Sequence, residues 1–247
     1  MLNNFLIAIL LITNWSYGYT KNCDEGYVIY DERSFELGTQ LCGESSFHET
    51  VSQIQSLSSS EISQLWIVAG WMYKHMNFDM DKFIRGGPVN NFESIYQRRT
   101  GICGEYASLF SGFCTELGIK NHVIEGYAPE LSNNTEFVET NHAWNVVQIA
   151  DCWYHCDLQG LSGKLYSSKD GDLSFKKQAD PFSFLARDDY FLSKHLPADP
   201  MWQLKKHPQE MDMLLLGTHL IKEGSPEFMY GDSIQQFEEL SDSEQKI

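Results

Sequence analysis

The chain has 247 residues, with 34 acidic against 18 basic side chains and a formal net charge of -16. Such a surface repels nucleic-acid phosphates and anionic lipid headgroups, which excludes nucleic acid as a partner and a membrane as a stable anchor. The acidic residues are scattered instead of blocked, and 42% of the residues are apolar, enough for a sizeable core.

Met1 to Gly18 is an uncharged apolar leader, centred on Phe5 to Ile12, with Ser16 and Gly18 placed before Tyr19 as signal peptidase prefers. It is too short to span a bilayer, which takes about 20 apolar residues. Cleavage after Gly18 is expected, with a secreted or periplasmic mature chain whose six cysteines meet an oxidising compartment. Cys23 and Cys42 are the expected disulfide, both lying in a glycine-containing N-terminal segment where a short loop is readily closed. Cys152 and Cys156 are a poor pair, because four residues of strand span about 13 Å.

Ser58-x-x-Glu61 has the form of a capping box, and a helix is expected from about Ser60 to Met76. Its stripe of Ile62, Leu65, Trp66, Ala69, Met72, Tyr73 and Met76 reads as core. Gly86-Gly87-Pro88 is a loop leading to Phe92–Arg99, and no phosphate-cradling glycine motif is present. From Cys103, residues Tyr106, Ala107, Phe110, Phe113, Cys114 and Leu117 recur at helical spacing up to Gly118. Cys103 therefore opens a helix, where free backbone N–H groups and the helix dipole favour a thiolate.

Strands are expected over Asn121–Tyr127, His142–Ile149 and Trp153–Leu158. The polar connection Glu130–Thr140 carries an N-glycosylation acceptor, Asn133-Asn134-Thr135. A tight hairpin at Ala150-Asp151-Cys152 would set His142 beside Asp157 across the ladder, and a helix packed on that sheet could bring Cys103 to His142. Thiol, imidazole and carboxylate together make an activated nucleophile. A zinc site from His142, Cys152, His155, Cys156 and Asp157 is the competing chemistry. Period-two alternation opposes it, since Cys152 and Cys156 face away from His155 and Asp157, and no metal is expected. Lys169-Asp170-Gly171-Asp172 reads as a turn without calcium-loop spacing. The aromatic stretch Pro181–Leu204 should dock on the core, and the acidic tail from Ser225 should form a short, fraying helix.

The pattern R-x-x-G-x-C-x-x-Y-A-x-L-F from Arg98, Gly126-Tyr127, N-H-A-W-N from Asn141 and W-Y-x-x-D from Trp153 resembles the transglutaminase-like superfamily. The similarity is to its kyphoscoliosis-peptidase branch, with WMYKHMNFD at Trp71–Asp79 and LPADPMWQL at Leu196–Leu204, preceded by His195. Many relatives follow the aspartate with Thr-Trp, where this chain has Leu158-Gln159-Gly160. The resemblance implies an α+β fold of papain-like, transglutaminase-like architecture, with a catalytic helix on an antiparallel sheet and Cys103, His142 and Asp157 as catalytic residues. The expected layout is a signal peptide (1–18), an N-terminal extension (19–60), a catalytic domain (61–204) and a C-terminal extension (205–247).

The backbone N–H of Cys103 is the first expected oxyanion donor. Gln97 and Trp71 are candidates for the second, and Trp144 and Asn145 join them as oxyanion or supporting candidates. The implied reaction is acyl transfer through a Cys103 thioester on a protein or peptide substrate, needing no cofactor. Hydrolysis by a cysteine peptidase or amidase is favoured; the alternatives are a protein-glutamine transamidase or a non-catalytic polypeptide-binding module. Oligomeric state is left open.

Overall fold

Helices lead the chain. α1 (Glu32–Gln40), α2 (Phe47–Leu57) and α3 (Glu61–His75) precede β1 (Asn77–Phe78), α4 (Met80–Arg85), α5 (Phe92–Arg98), β2 (Thr100–Gly101) and α6 (Cys103–Leu117). Then come β3 (Asn121–Tyr127), β4 (His142–Ile149), β5 (Cys152–Cys156), α7 (Leu158–Ser162), β6 (Gly163–Ser167) and β7 (Leu173–Lys177). The chain continues through β8 (Phe184–Ala186), α8 (Asp189–Leu192), β9 (Leu196–Pro197), α9 (Met211–Leu216) and α10 (Tyr230–Glu238). This computed structural model describes residues 30–128, 139–187, 189–216, 227–241 and 243–245. The leader, Cys23 and the Asn133-Asn134-Thr135 acceptor lie outside the described residues.

The expected helix over Ser60–Met76 is α3, but its cap differs. Ser60 accepts from the Ser63 N–H, while Ser58 closes α2 and accepts from the Ser60 N–H. The reciprocal capping box lies one helix earlier, between Ser46 and Glu49. Nine successive residues of α3, Gln64 to Met72, are buried, so all sides of this helix are covered.

The sheet has strand order β8-β5-β4-β3-β9, with every neighbour antiparallel. β3 and β4 have the expected bounds. β5 ends at Cys156, because Asp157 leaves the ladder to cap α7. Ala150 and Asp151 both adopt positive φ (49° and 68°), as a two-residue hairpin matched to strand twist requires.

Alternation along the strands gives the sheet two dry faces. Val147, Ile149, Tyr154 and Cys156 pack into the core built by α2, α3 and α6. Trp144, Val146 and Trp153 pack on the other face with Phe191, Met201, Trp202 and Ile234. The Pro181–Leu204 stretch thus docks on the core, and Ile234 of the tail helix α10 is buried with it.

The cysteine expectation is corrected. Cys42 is free and exposed, so it forms no bridge with Cys23, and Cys152 at the start of β5 is the disulfide-bonded cysteine. The segment around Cys42 is tied instead to the helices, through Leu41 carbonyl to His75 and Gly43 carbonyl to Arg99. Nearness in sequence did not set which thiols meet.

Candidate active site

The start of α6 is fixed from before and after. β2 pairs in parallel with β1, and the Asp79 N–H donates to the Gly101 carbonyl, which pins the two residues before the helix N-cap Ile102. Ile102 has no side-chain oxygen to cap the helix, and Glu105 reaches back to accept its N–H at 3.0 Å. A Cβ on Gly101 would lie 2.3 Å from Glu105 Cβ, so this position has to be glycine. At the far end Gly118 takes φ 74° and stops the helix.

Glu105 is fully buried and also accepts from Lys82 Nζ and from the backbone N–H and Nδ2 of Asn90. Burial would raise this carboxyl, but the Lys82 hydrogen bond leads the donors that hold it below the usual range. The lock ties α4 and the loop before α5 to the helix start.

Cys103 is the first residue of α6 and half-buried. Its N–H belongs to the first turn, where helical N–H groups lack intrahelical acceptors. Burial pushes the thiol up. A hydrogen bond and charge from His142, and then the Ala143 N–H at the start of β4, bring it down below its ordinary value.

His142 opens β4 and is buried, with Nε2 2.9 Å from Asp157 Oδ2. Nδ1 is buried and makes no conventional hydrogen bond, leaving it as the nitrogen available to the thiol. Burial disfavours the imidazolium, but the Asp157 charge and hydrogen bond outweigh it, with the Cys103 thiol adding to them, and push His142 up to about 10.

Asp157 is the N-cap of α7, its Oδ1 accepting from the Gly160 N–H at 2.9 Å. The Leu158-Gln159-Gly160 sequence thus turns the chain into a helix that holds the carboxylate from below. Burial would raise the carboxyl; His142 charge and hydrogen bonds from His142 and His195 hold it well below the carboxylate range. His142 and Asp157 are two residues out of direct register across β4 and β5, so they meet diagonally.

The four supporting candidates divide. Asn145 Nδ2 donates to the Ala107 carbonyl at 3.1 Å, fastening β4 to α6 one turn beyond Cys103. Trp144 Nε1 donates to His155 Nδ1 at 3.1 Å, and its ring lies against His142 and His195. Both side chains thus donate within the fold. Trp71 is fully buried in the helical core against Phe113 and Tyr96, with Arg99 over its ring. Phe113 is ten residues, about 15 Å of helix, from Cys103, so Trp71 packs further along α6 than the thiol. Gln97 is exposed on α5, and among the described residues no hydrogen bond ties it to Cys103 or His142. The backbone N–H of Cys103, at the start of α6, stays the candidate oxyanion donor.

Sequence reasoning gave His195 no role, and the structure does. Its Nε2 lies 3.0 Å from the same Asp157 Oδ2 that binds His142. The one signal was its place just ahead of the LPADPMWQL stretch. His142, Asp157 and His195 face a cleft with Lys194 and Lys164 on its wall. Ligand atoms of the three lie within 4.8 Å of one another, but both imidazole nitrogens already hydrogen-bond the one carboxylate oxygen. The earlier zinc grouping is dispersed, with Cys156 in the helical core and His155 stacked on Phe191 across the sheet.

Residues 49–158 match the family model of the transglutaminase-like superfamily. No curated protein matches the chain. Among solved structures, a TGase is 17% identical over 52% of this chain and 32% of its own, with TM-score 0.36. A candidate cysteine protease from Cytophaga hutchinsonii is 19% identical over 52% and 43%, TM-score 0.32. The periplasmic domain of TgpA from Pseudomonas aeruginosa is 15% identical over 52% and 49%, TM-score 0.35. The chain spans between about a third and a half of the length of these structures. The fold is α+β with a transglutaminase-like, papain-like core, its helix α6 packed on the antiparallel sheet. Among the described residues no helix is long and apolar enough to cross a membrane.

Proposed function

We propose that this chain is an exported cysteine acyl-transfer enzyme that cleaves amide bonds in protein or peptide substrates, with Cys103, His142 and Asp157 as its catalytic residues. One observation carries the reading: a buried imidazole bound through Nε2 to a carboxylate at 2.9 Å interacts on its other side with a thiol at a helix N-terminus. His142 takes the Cys103 thiol proton, the sulfur attacks the carbonyl carbon, and the backbone N–H groups of the first turn receive the oxyanion. The C–N bond breaks, the leaving amine takes the proton from His142, and a thioester forms. Water then attacks, His142 accepts its proton, and the C–S bond breaks to return the thiol and a carboxylic acid.

Hydrolysis over crosslinking, and the kyphoscoliosis-peptidase branch, rest on the motifs at Asn141–Asn145 and Leu196–Leu204. Export rests on the apolar leader and on a disulfide at Cys152. The catalytic unit is proposed as 61–204 between an N-terminal and a C-terminal extension, α1 and α2 of the former packing on the same core.

Iodoacetamide alkylation of Cys103 against pH, read by peptide mass spectrometry, tests the pair. The wild type should show a midpoint below the free-thiol value of about 8.5 and His142→Ala an ordinary one. Indifference of Cys103 to His142→Ala would sink the enzyme reading. Incubation with a denatured protein and a primary amine then separates the outcomes: new chain termini mean hydrolysis, amine incorporation at glutamine means transamidation, and neither means a binding module.

A further inference from the structure

Asp157 Oδ2 holds two imidazoles, at 2.9 Å from His142 and 3.0 Å from His195. The second has an unusual proton inventory. His195 Nδ1 lies 3.1 Å from the Phe191 carbonyl oxygen, which only accepts, so Nδ1 carries a proton. Its Nε2 faces a carboxylate that also accepts a Gly160 N–H, and an ionised carboxylate likewise only accepts, so Nε2 carries one as well. A neutral tautomer would turn a lone pair on one of these two oxygens. The Phe191 ring stacks on His195 at 4.0 Å and 8°, fixing the orientation that makes both bonds.

We infer that His195 is a positioning residue that rests on Asp157 as an imidazolium, forming a buried row of His195 cation, Asp157 anion and His142; this rests on the catalytic reading above. The row has two effects. Three N–H donors hold the carboxylate in one orientation, so His142 keeps Nε2–H on Asp157 and presents Nδ1 to the thiol. The extra cation, its ring centroid 5.4 Å from that of His142, also offsets part of the carboxylate's pull on the His142 proton. A general acid has to release that proton to the leaving amine, and an uncompensated buried carboxylate would hold it too tightly.

The other groups around His195 are Cys103 beyond His142, His155 across the Phe191 ring, and Lys194, Lys164 and Asp180 on the cleft wall. Arg187 and Lys205 act with His195 on His155. Lys164 and Asp180 pair with each other at 3.3 Å, so Asp157 is the anion that supports the His195 charge.

The test is nitrogen-15 NMR of the full chain labelled at histidine. In the wild type at pH 7, both ring nitrogens of His195 should carry protons, while one bare nitrogen would overturn the assignment without any variant being made. His195→Gln keeps an N–H donor for Oδ2 and removes the charge. The His142 titration midpoint should then rise by about one pH unit. An unchanged midpoint in a folded His195→Gln would mean that His195 is only structural. Failure of the catalytic reading would appear elsewhere, as Cys103 alkylation indifferent to His142→Ala.

Discussion

Two carboxylates are buried within this site, and they are handled in opposite ways. Glu105, at 0% exposure, is held by a lysine ammonium, the Ile102 N–H and the Asn90 amides. None of those donors is an imidazole. Asp157, at 2%, is held by one backbone N–H and two imidazoles. Both sit at helix N-termini, where an anion is favoured, so burial and dipole are alike at the two places. The difference lies in the partners. Glu105 fixes where α6 begins, and Asp157, on the proposed catalytic reading, fixes where a proton can move.

The sharpest way to break that division is Asp157→Asn. The amide presents an N–H where the carboxylate accepted, so His142 no longer keeps its proton on Nε2 and offers Nδ1 to the thiol. A comparable change in a catalytic triad lowers kcat by about 10⁴, and a loss of that order is expected in peptide-bond cleavage. A fall of less than tenfold would mean that the carboxylate is as structural as Glu105.

A pH series on stability sharpens the same contrast. His142 is raised in the folded state to about 10 by Asp157, against about 6.5 when unfolded. A raised value means that the folded chain binds the proton more tightly, so this stabilisation is complete below pH 6.5 and is lost as pH rises through about 10. Asp157 is depressed, so its share is present above the unfolded value of about 4 and is lost in acid. The two shifts describe one interaction and are not summed. Urea midpoints should therefore fall between pH 6.5 and 10, with a flatter profile in His142→Ala. Equal slopes in the two proteins would remove the ion pair from the stability of the fold.

How much of this was legible in the sequence depended on the range of the interaction. The bounds of α6, β3 and β4 follow from local periodicity and a glycine stop, and motif matching picked out Cys103, His142 and Asp157. Trp71 failed because its partners Tyr96, Phe113 and Arg99 converge only through helix packing, which no spacing reveals. Asn145 and Trp144 adjoin the histidine in sequence, yet strand alternation sends one to Ala107 on α6 and the other to His155 across the sheet. Cys42 and His195 show the same limit from both sides. A nearby cysteine was no partner, and a histidine 38 residues beyond Asp157 was.

The Glu105 lock was invisible for that reason, since Lys82 is 23 residues away in a different helix. It also yields the expectation with the smallest reach. Lys82→Met leaves a fully buried carboxylate without its cation, which costs about 3 kcal/mol, at the low end for a broken buried pair because Ile102 and Asn90 still donate. Equilibrium urea unfolding should register that loss. The charges that act on the Cys103 thiol come from His142 and Asp157, so its alkylation midpoint should stay where it is in the folded variant. If Lys82→Met moves the midpoint as far as Asp157→Asn does, the lock and the proton path are one electrostatic unit, and Glu105 belongs to the chemistry as well as to the scaffold.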